Sequence, residues 1–297
     1  MPKSNSKVLI IVAFFSIYII WGSTYLLNKI AVTELSPFFL ASIRFSCASV
    51  LIFSIAKIMK MKLSITKKQF RNSILVGFLF LVYGNGVFVW ALKYVDSGFA
   101  ALLASTQPLF VLLLMRLMDN KKMKPKSLIG VGLGLIGMYL LVSQQDLVAN
   151  EGALLGIFMI FTCVLGWSYA SVFVSKADMP KNYFVATGYQ MAIGSIMLLC
   201  ASLLTKEEWI SPLEWSTNVK TAMFLLITFG SIVAFTAFNF LLKQVSTEKV
   251  ATSAYVNPIV AMLLGWYVLD EQLSTQSMVA AVVLLTGVYF ITSRKKV

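Results

Sequence analysis

Histidine does not occur anywhere in the 297 residues. That absence removes Ser-His-Asp catalysis, His-ligated metal centres and HExxH zinc sites together. Charge is scarce as well. Only 12% of residues are Asp, Glu, Lys or Arg, against about 25% in a soluble domain. The three cysteines, Cys47, Cys163 and Cys200, each fall inside an apolar run, so neither a disulfide framework nor a CxxC metal cluster is expected. No GxxxxGK[ST] occurs, which removes an ATP-binding P-loop. No cofactor, metal or ATP is therefore expected. Nor does any Asp or Glu lie deep in an apolar run. A proton relay built on a buried carboxylate, as proton-coupled carriers often use, is not expected either.

Apolar residues fill the space left by charge: 59% are hydrophobic and the mean hydropathy is +0.83. A membrane-crossing helix needs about 20 apolar residues. Ten runs qualify, at about 8–28, 37–58, 72–93, 97–118, 126–143, 152–175, 183–204, 219–242, 247–268 and 276–292. The first follows Lys3 and Lys7 like a signal peptide, but it continues past Tyr25 with no small-x-small cleavage site, so it reads as a helix. The fold class expected is all-α and integral to a membrane, with the lipid bilayer as its main partner. The longest connection, 205–218, carries Glu207, Glu208, Trp209, Pro212 and Trp215 and reads as an interfacial loop.

A net charge of +13 suggests nucleic acid in a soluble chain. Here its distribution decides otherwise. One set of alternate loops, with both termini, carries 20 Lys/Arg and three acids; the other carries four lysines and nine acids. Cytoplasmic loops are rich in Lys/Arg, so both termini are expected in the cytoplasm and no nucleic-acid partner is expected.

Slid against itself by 150 residues, the chain matches at 14 of 56 positions. Lys93 meets Lys243, Pro108 meets Pro258, Gly137 meets Gly287 and Tyr139 meets Tyr289. Earlier matches are weaker: Trp21 with Trp167 at an offset of 146, and Ala41 with Ala186 at 145. The expected halves are 1–147 and 148–297, each of five helices. Five is odd, so the second half enters the membrane upside down. Inverted repeats recur in transporters that open alternately to either side, although a repeat can also serve folding alone.

Pro108 and Pro258 lie near the middle of the fourth and ninth runs. Proline removes an N–H and displaces the carbonyl four residues back, so a kink is expected at each. Polar Ser105, Thr106 and Gln107 flank one; Ser253, Tyr255 and Asn257 flank the other. Interrupted helices at equivalent places in two halves point to a midplane binding site, and the prolines are read as paired pivots. Proline kinks are also ordinary in membrane helices.

The candidate cavity residues are Trp21, Tyr25, Asn28, Arg44, Tyr83, Asn85, Gln107, Trp167, Gln190, Asn239, Tyr255 and Asn257. Trp90 and Trp266 are better read as interface anchors. Arg44 sits seven residues into its helix, about 10 Å deep. A charge there must snorkel outward or find water or a partner; turned inward, it would offer a carboxylate two parallel hydrogen bonds. Glycines 130, 134, 137 and 287 form small-residue faces for close helix contact, within the chain or between chains. The assembly expected is a monomer or weak dimer.

Trp21-Gly22-Ser23-Thr24-Tyr25 followed by Lys29, Pro37, Arg44-Phe45, Pro108 and Pro258 together resemble the ten-helix EamA-type members of the drug/metabolite transporter superfamily, over essentially the whole chain. The family commonly places a glutamate shortly after the fourth and ninth helices. Glu271 fits the second place, but Lys121 stands at the first. The resemblance implies a bacterial inner-membrane exporter or exchanger of amino acids, related metabolites or drug-like solutes. It also implies a basket of helices around a central cavity, with the fifth and tenth helices peripheral. A lipid or lipid-linked sugar flippase on the same fold is the alternative. An integral membrane enzyme is less favoured, for want of histidine or a carboxylate cluster.

Overall fold

The computed structural model describes residues 4–119, 125–143, 152–251 and 253–292, and among them no strand occurs. Helices α1 (Lys7–Val32), α2 (Pro37–Ile58), α3 (Lys67–Ala91), α4 (Ser97–Met118), α6 (Ala153–Lys176), α7 (Tyr183–Leu204) and α8 (Thr217–Gln244) are seven long and apolar enough to cross a membrane. Between and after them lie α5 (Pro125–Val142), α9a (Thr247–Val250), α9b (Ser253–Leu269) and α10 (Thr275–Thr292).

The molecule is organised for an apolar surrounding. Val50, Ile58, Leu203, Leu263 and Val282 are exposed. Arg44 is 2% exposed, and Asn28, Gln190 and Asn239 are buried with it. Polar side chains turn inward because lipid offers them no hydrogen bonds.

Three long helices are not α-helical throughout. Ser16–Ile20 in α1, Phe78–Val87 in α3 and Leu226–Val233 in α8 are wound as π-helix. The expected kinks differ between the two prolines. In α4 the helix stops at Ala104, turns through Ser105 and Thr106, and restarts at Gln107. Pro108 is then the second residue of the new helix, where a missing N–H costs nothing. In the ninth run the helix continues through Pro258, and the interruption falls at Ala251, seven residues earlier. Helix limits also shift from expectation: α1 reaches Val32, α3 starts at Lys67, and α8 spans Thr217–Gln244.

α5 and α10 pack chiefly against each other. A Cβ on Gly287 would meet the carbonyl oxygen of Gly130 at 2.8 Å and the nitrogen of Gly134 at 2.9 Å, and one on Gly137 would meet Leu284 at 2.6 Å. The small-residue faces are used within the chain.

Helices α2, α7 and α9b end alike. Lys60, Lys206 and Asp270 each take a left-handed conformation with φ 53°, and the N–H of the next residue reaches back to Ala56, Ser202 or Gly265. This reversal fixes where the following side chain points. After α7 that side chain is Glu207, whose carboxylate accepts from the Phe38 and Phe39 N–H groups at 3.0 and 2.8 Å. After α9b it is Glu271, which accepts from the Ser97 and Gly98 N–H groups and the Ser97 hydroxyl. Two helix starts, those of α2 and α4, thus receive a remote negative charge at their positive ends.

Candidate functional site

A cavity of about 110 Å³ lies among seven helices. Its wall includes Trp21, Thr24, Tyr25 and Asn28 of α1, Arg44 of α2, Asn85 of α3, Ser105 and Gln107 of α4, Cys163 and Trp167 of α6, Phe235 of α8, and Ser253, Asn257 and Pro258 of α9b. At about 10–15 Å³ per water it has room for roughly seven to eleven waters, the bulk of a solute of about ten non-hydrogen atoms.

Eight of the twelve candidate residues come together here: Trp21, Tyr25, Asn28, Arg44, Asn85, Gln107, Trp167 and Asn257. Three do not. Gln190 and Asn239 hydrogen-bond each other, and Asn239 Nδ2 also donates to Thr187 Oγ1 at 2.9 Å. They form a satisfied knot between α7 and α8, away from the cavity wall. Tyr83 turns its ring against Gly166 and stacks near Phe78. The Tyr255 side chain and Lys121 lie outside the described residues. Of the two prolines, Pro258 lines the cavity, while Pro108 is buried off its wall. Trp266 is exposed, as an interface anchor would be. Trp90 instead packs edge-on against Phe38 at 5.5 Å.

Arg44 does not snorkel. Its Nε donates to Ser231 Oγ at 2.8 Å, and Nη1 faces Asn28 Oδ1 at 3.3 Å and Asn85 Oδ1 at 3.5 Å. Among the described residues no carboxylate pairs with it and Nη2 donates to nothing. Gly230 clears the space: a Cβ there would meet Thr24 at 2.9 Å and Arg44 Nη2 at 3.2 Å. A buried cation with only neutral, partly long contacts is costly, so the fold holds it there against its solvation preference. Sequence reasoning missed Ser231, the nearest partner of Arg44; its one signal was a hydroxyl beside a glycine in the middle of an apolar run.

Three cavity-lining donors hold the three π-helical stretches. Trp21 Nε1 donates to the Gly230 carbonyl at 3.1 Å and Cys163 Sγ to the Tyr83 carbonyl at 3.0 Å. Asn257, with its amide nitrogen turned to α1, donates to the Ile17 and Tyr18 carbonyls at 3.0 and 2.8 Å. Toward the Lys176 and Gln244 ends of α6 and α8, an aromatic cluster packs beside the cavity. Trp21 meets Trp167 edge-on at 5.6 Å and Phe238 at 4.8 Å, and Phe80 meets Trp167 at 4.6 Å.

The opposite end is tied by charge. Beside the Glu207 and Glu271 caps, Glu34 accepts from the Ser216 N–H at 3.1 Å. Lys29 Nζ donates to the Leu92 and Val95 carbonyls at 2.7 and 2.9 Å, at the end of α3.

Comparison with known proteins decides the family. The EamA-like transporter family matches residues 8–143 and again 154–293. This chain belongs to that family. It is 34% identical over 284 residues to the "uncharacterized inner membrane transporter YedA" of Escherichia coli K12, covering 95% of this chain and 90% of that protein. It is 25% identical over 291 residues to the "uncharacterized transporter YoaV" of Bacillus subtilis, covering 97% and 99%. A protein of solved crystal structure superposes with a TM-score of 0.68 at 17% identity over 94% of each chain, a likeness of fold alone. The EamA chain described here is a multi-pass membrane transporter, not an enzyme.

Proposed function

We propose that this EamA chain is a secondary carrier of the bacterial inner membrane that works by alternating access. It exports or exchanges small metabolites, foremost amino acids and related or drug-like solutes. Ten spans form two inverted halves, 1–147 and 148–297, with both termini in the cytoplasm. The observation that carries the reading is the cavity. Both halves contribute its wall, polar groups converge in it, and a buried Arg44 faces it. Few convergent polar groups in an apolar pocket are the usual form of a small-molecule site.

Matched irregularities support the two halves. α3 and α8 both carry π-helix. Lys60 and Lys206, at the ends of α2 and α7, share one left-handed conformation at the same offset as Trp21 and Trp167. The fourth and ninth runs are both interrupted. In the purified chain reconstituted into liposomes, counterflow of labelled amino acids or related solutes is expected, without scrambling of fluorescent lipid. Lipid scrambling with no solute counterflow would replace the carrier with a flippase.

A further inference from the structure

We infer that the cavity is built for a solute with one carboxylate and no second charge, its carboxylate on the Nη1 and Nη2 edge of Arg44 and its apolar body against Trp21, Trp167 and Phe235. The inference rests on the carrier reading and, within its cargo classes, moves the preference from zwitterionic amino acids to related solutes that lack the amino group.

The charge count of the site carries the argument. Its wall contains one cation and, among the described residues, no Asp or Glu. Arg44 is satisfied only on its Nε side, by Ser231 at 2.8 Å. Its outer edge makes two loose contacts, at 3.3 and 3.5 Å, with the side-chain oxygens of Asn28 and Asn85. Charge-assisted guanidinium–carboxylate bonds run shorter, at about 2.7–2.9 Å, and come in parallel pairs. A carboxylate entering here displaces two long neutral contacts and neutralises a charge otherwise met only by neutral groups and by the face of the Phe45 ring at 4.9 Å. Asn28 and Asn85 are then free to turn their amide nitrogens toward the same carboxylate.

A second charge on the solute has no counterpart. An ammonium group would have to compete for the two asparagine oxygens that face Arg44. The third asparagine, Asn257, gives its nitrogen to Ile17 and Tyr18 and can offer an ammonium only a neutral amide oxygen, and no carboxylate stands in the wall among the described residues. A second carboxylate would remain unpaired in a medium where unpaired charge is expensive. The rest of the wall suits a planar or branched apolar body. Trp21 and Trp167 meet edge-on at 5.6 Å, and Phe235 lies 6.1 Å from Trp21. Zwitterionic amino acids should therefore rank below the matching acids that lack the amino group.

The test is equilibrium binding to the purified full chain in detergent, read by tryptophan fluorescence or calorimetry. Four probes of similar shape serve: phenylacetate, its neutral isostere phenylacetamide, zwitterionic phenylalanine and cationic 2-phenylethylamine. Phenylacetate is expected to bind with a dissociation constant of order a millimolar, suited to about ten atoms. It should bind about tenfold or more tighter than phenylacetamide and more tightly than phenylalanine, with 2-phenylethylamine weakest. Arg44→Gln should bring the acid-to-amide ratio to about one, and Arg44→Lys should keep part of it. The wild-type series stands by itself if a variant fails to fold. Equal binding of phenylacetate and phenylacetamide, tighter binding of phenylalanine, or no saturation by phenylacetate at about 10 mM would each overturn the inference. Absence of phenylacetate counterflow in liposomes, with the binding order intact, would count against the carrier reading and leave the binding assignment standing.

Discussion

Glu271→Gln should loosen the end of the bundle that Glu34, Glu207 and Glu271 hold together. The Glu271 carboxylate accepts three hydrogen bonds, from Ser97 N at 2.9 Å, Ser97 Oγ at 2.8 Å and Gly98 N at 3.1 Å. Hydrogen bonds to a charged group contribute about 1.5–3 kcal/mol each and neutral ones about 0.5–1.5. Glutamine keeps one acceptor, weakens it by losing the charge, and turns an NH₂ toward the remaining donors. It also forfeits about 0.3–1 kcal/mol of attraction to the positive end of the helix. The sum is about 2–4 kcal/mol. If these bonds exist only while this end is closed, the open-to-closed ratio rises about 30- to 1,000-fold. Cys163 is a natural reporter, since it lines the cavity at 1% exposure, while Cys47 and Cys200 are exposed elsewhere and can be changed to serine. Labelling of Cys163 by a membrane-impermeant maleimide, applied to intact cells from the side opposite the Lys/Arg-rich loops, should accelerate at least about 30-fold. An unchanged rate, with thermal stability lowered by the full amount, would refute the latch and leave Glu271 as a helix cap.

Three further outcomes follow from the packing and the charges. Gly287→Leu drives a side chain into the Gly130 carbonyl and the Gly134 nitrogen; overpacking of this kind costs about 1–3 kcal/mol, seen as a lower thermal midpoint, and an unchanged midpoint would mean that α5 and α10 are not in close contact. Pro108→Ala and Pro258→Ala should insert normally; rejoining of α4 across Ser105–Thr106 should slow turnover in Pro108→Ala by at least about tenfold, while Pro258→Ala, in an unbroken helix, should slow it less, and wild-type counterflow rates in both would remove the prolines from gating. Burial first, then the charge of Glu271, holds the Asp96 carboxyl above its ordinary 3.8, with Lys29 opposing. The folded chain therefore binds this proton more readily than the unfolded chain, and the resulting destabilisation grows as pH rises from 3.8 through the raised value. Asp96→Asn should accordingly raise the thermal midpoint at about pH 8 and lose that advantage as the pH falls toward about 4; an advantage that grew on acidification would refute the assignment.

The long apolar runs made the helical architecture legible, because twenty apolar residues in a row have few other uses. The site was legible only where residue type and direction coincided. Tyr83 and Asn85 stand two places apart in the same run, yet only Asn85 reaches the cavity. Periodicity could not choose between them, since Phe78–Val87 is wound as π-helix and the 3.6-residue phase does not hold there. Gln190 and Asn239 read as cavity residues because a lone amide in an apolar run looks the same whether water or another amide satisfies it; their pairing spans 49 residues. Ser231 went unread for the opposite reason. A serine in a membrane helix ordinarily bonds back one turn, as Ser168 does to the Val164 carbonyl at 2.7 Å. Glu207 and Glu271 were visible as loop charges, but nothing local ties them to helix starts 168–174 residues away.

The π-helical stretches connect what the cavity holds to how the helices are shaped. A π turn leaves carbonyls out of register with the α ladder, and in lipid such groups must find donors. Here Trp21, Cys163 and Asn257 provide them to α8, α3 and α1 respectively. All three donors also line the cavity. A solute in contact with them would sit within reach of the bonds that keep three helices irregular, with the Arg44 guanidinium beside it between α1, α2, α3 and α8. A ligand shifts a conformational equilibrium only by its difference in affinity for the two states. Groups that serve both as wall and as support for the helix distortions are where such a difference arises at short range. No separate signalling path through the bundle is then required. The same arrangement explains why the prolines need not be the hinges by themselves: α1, α3 and α8 carry their own π-helical turns, and only the ninth run has its proline on the wall.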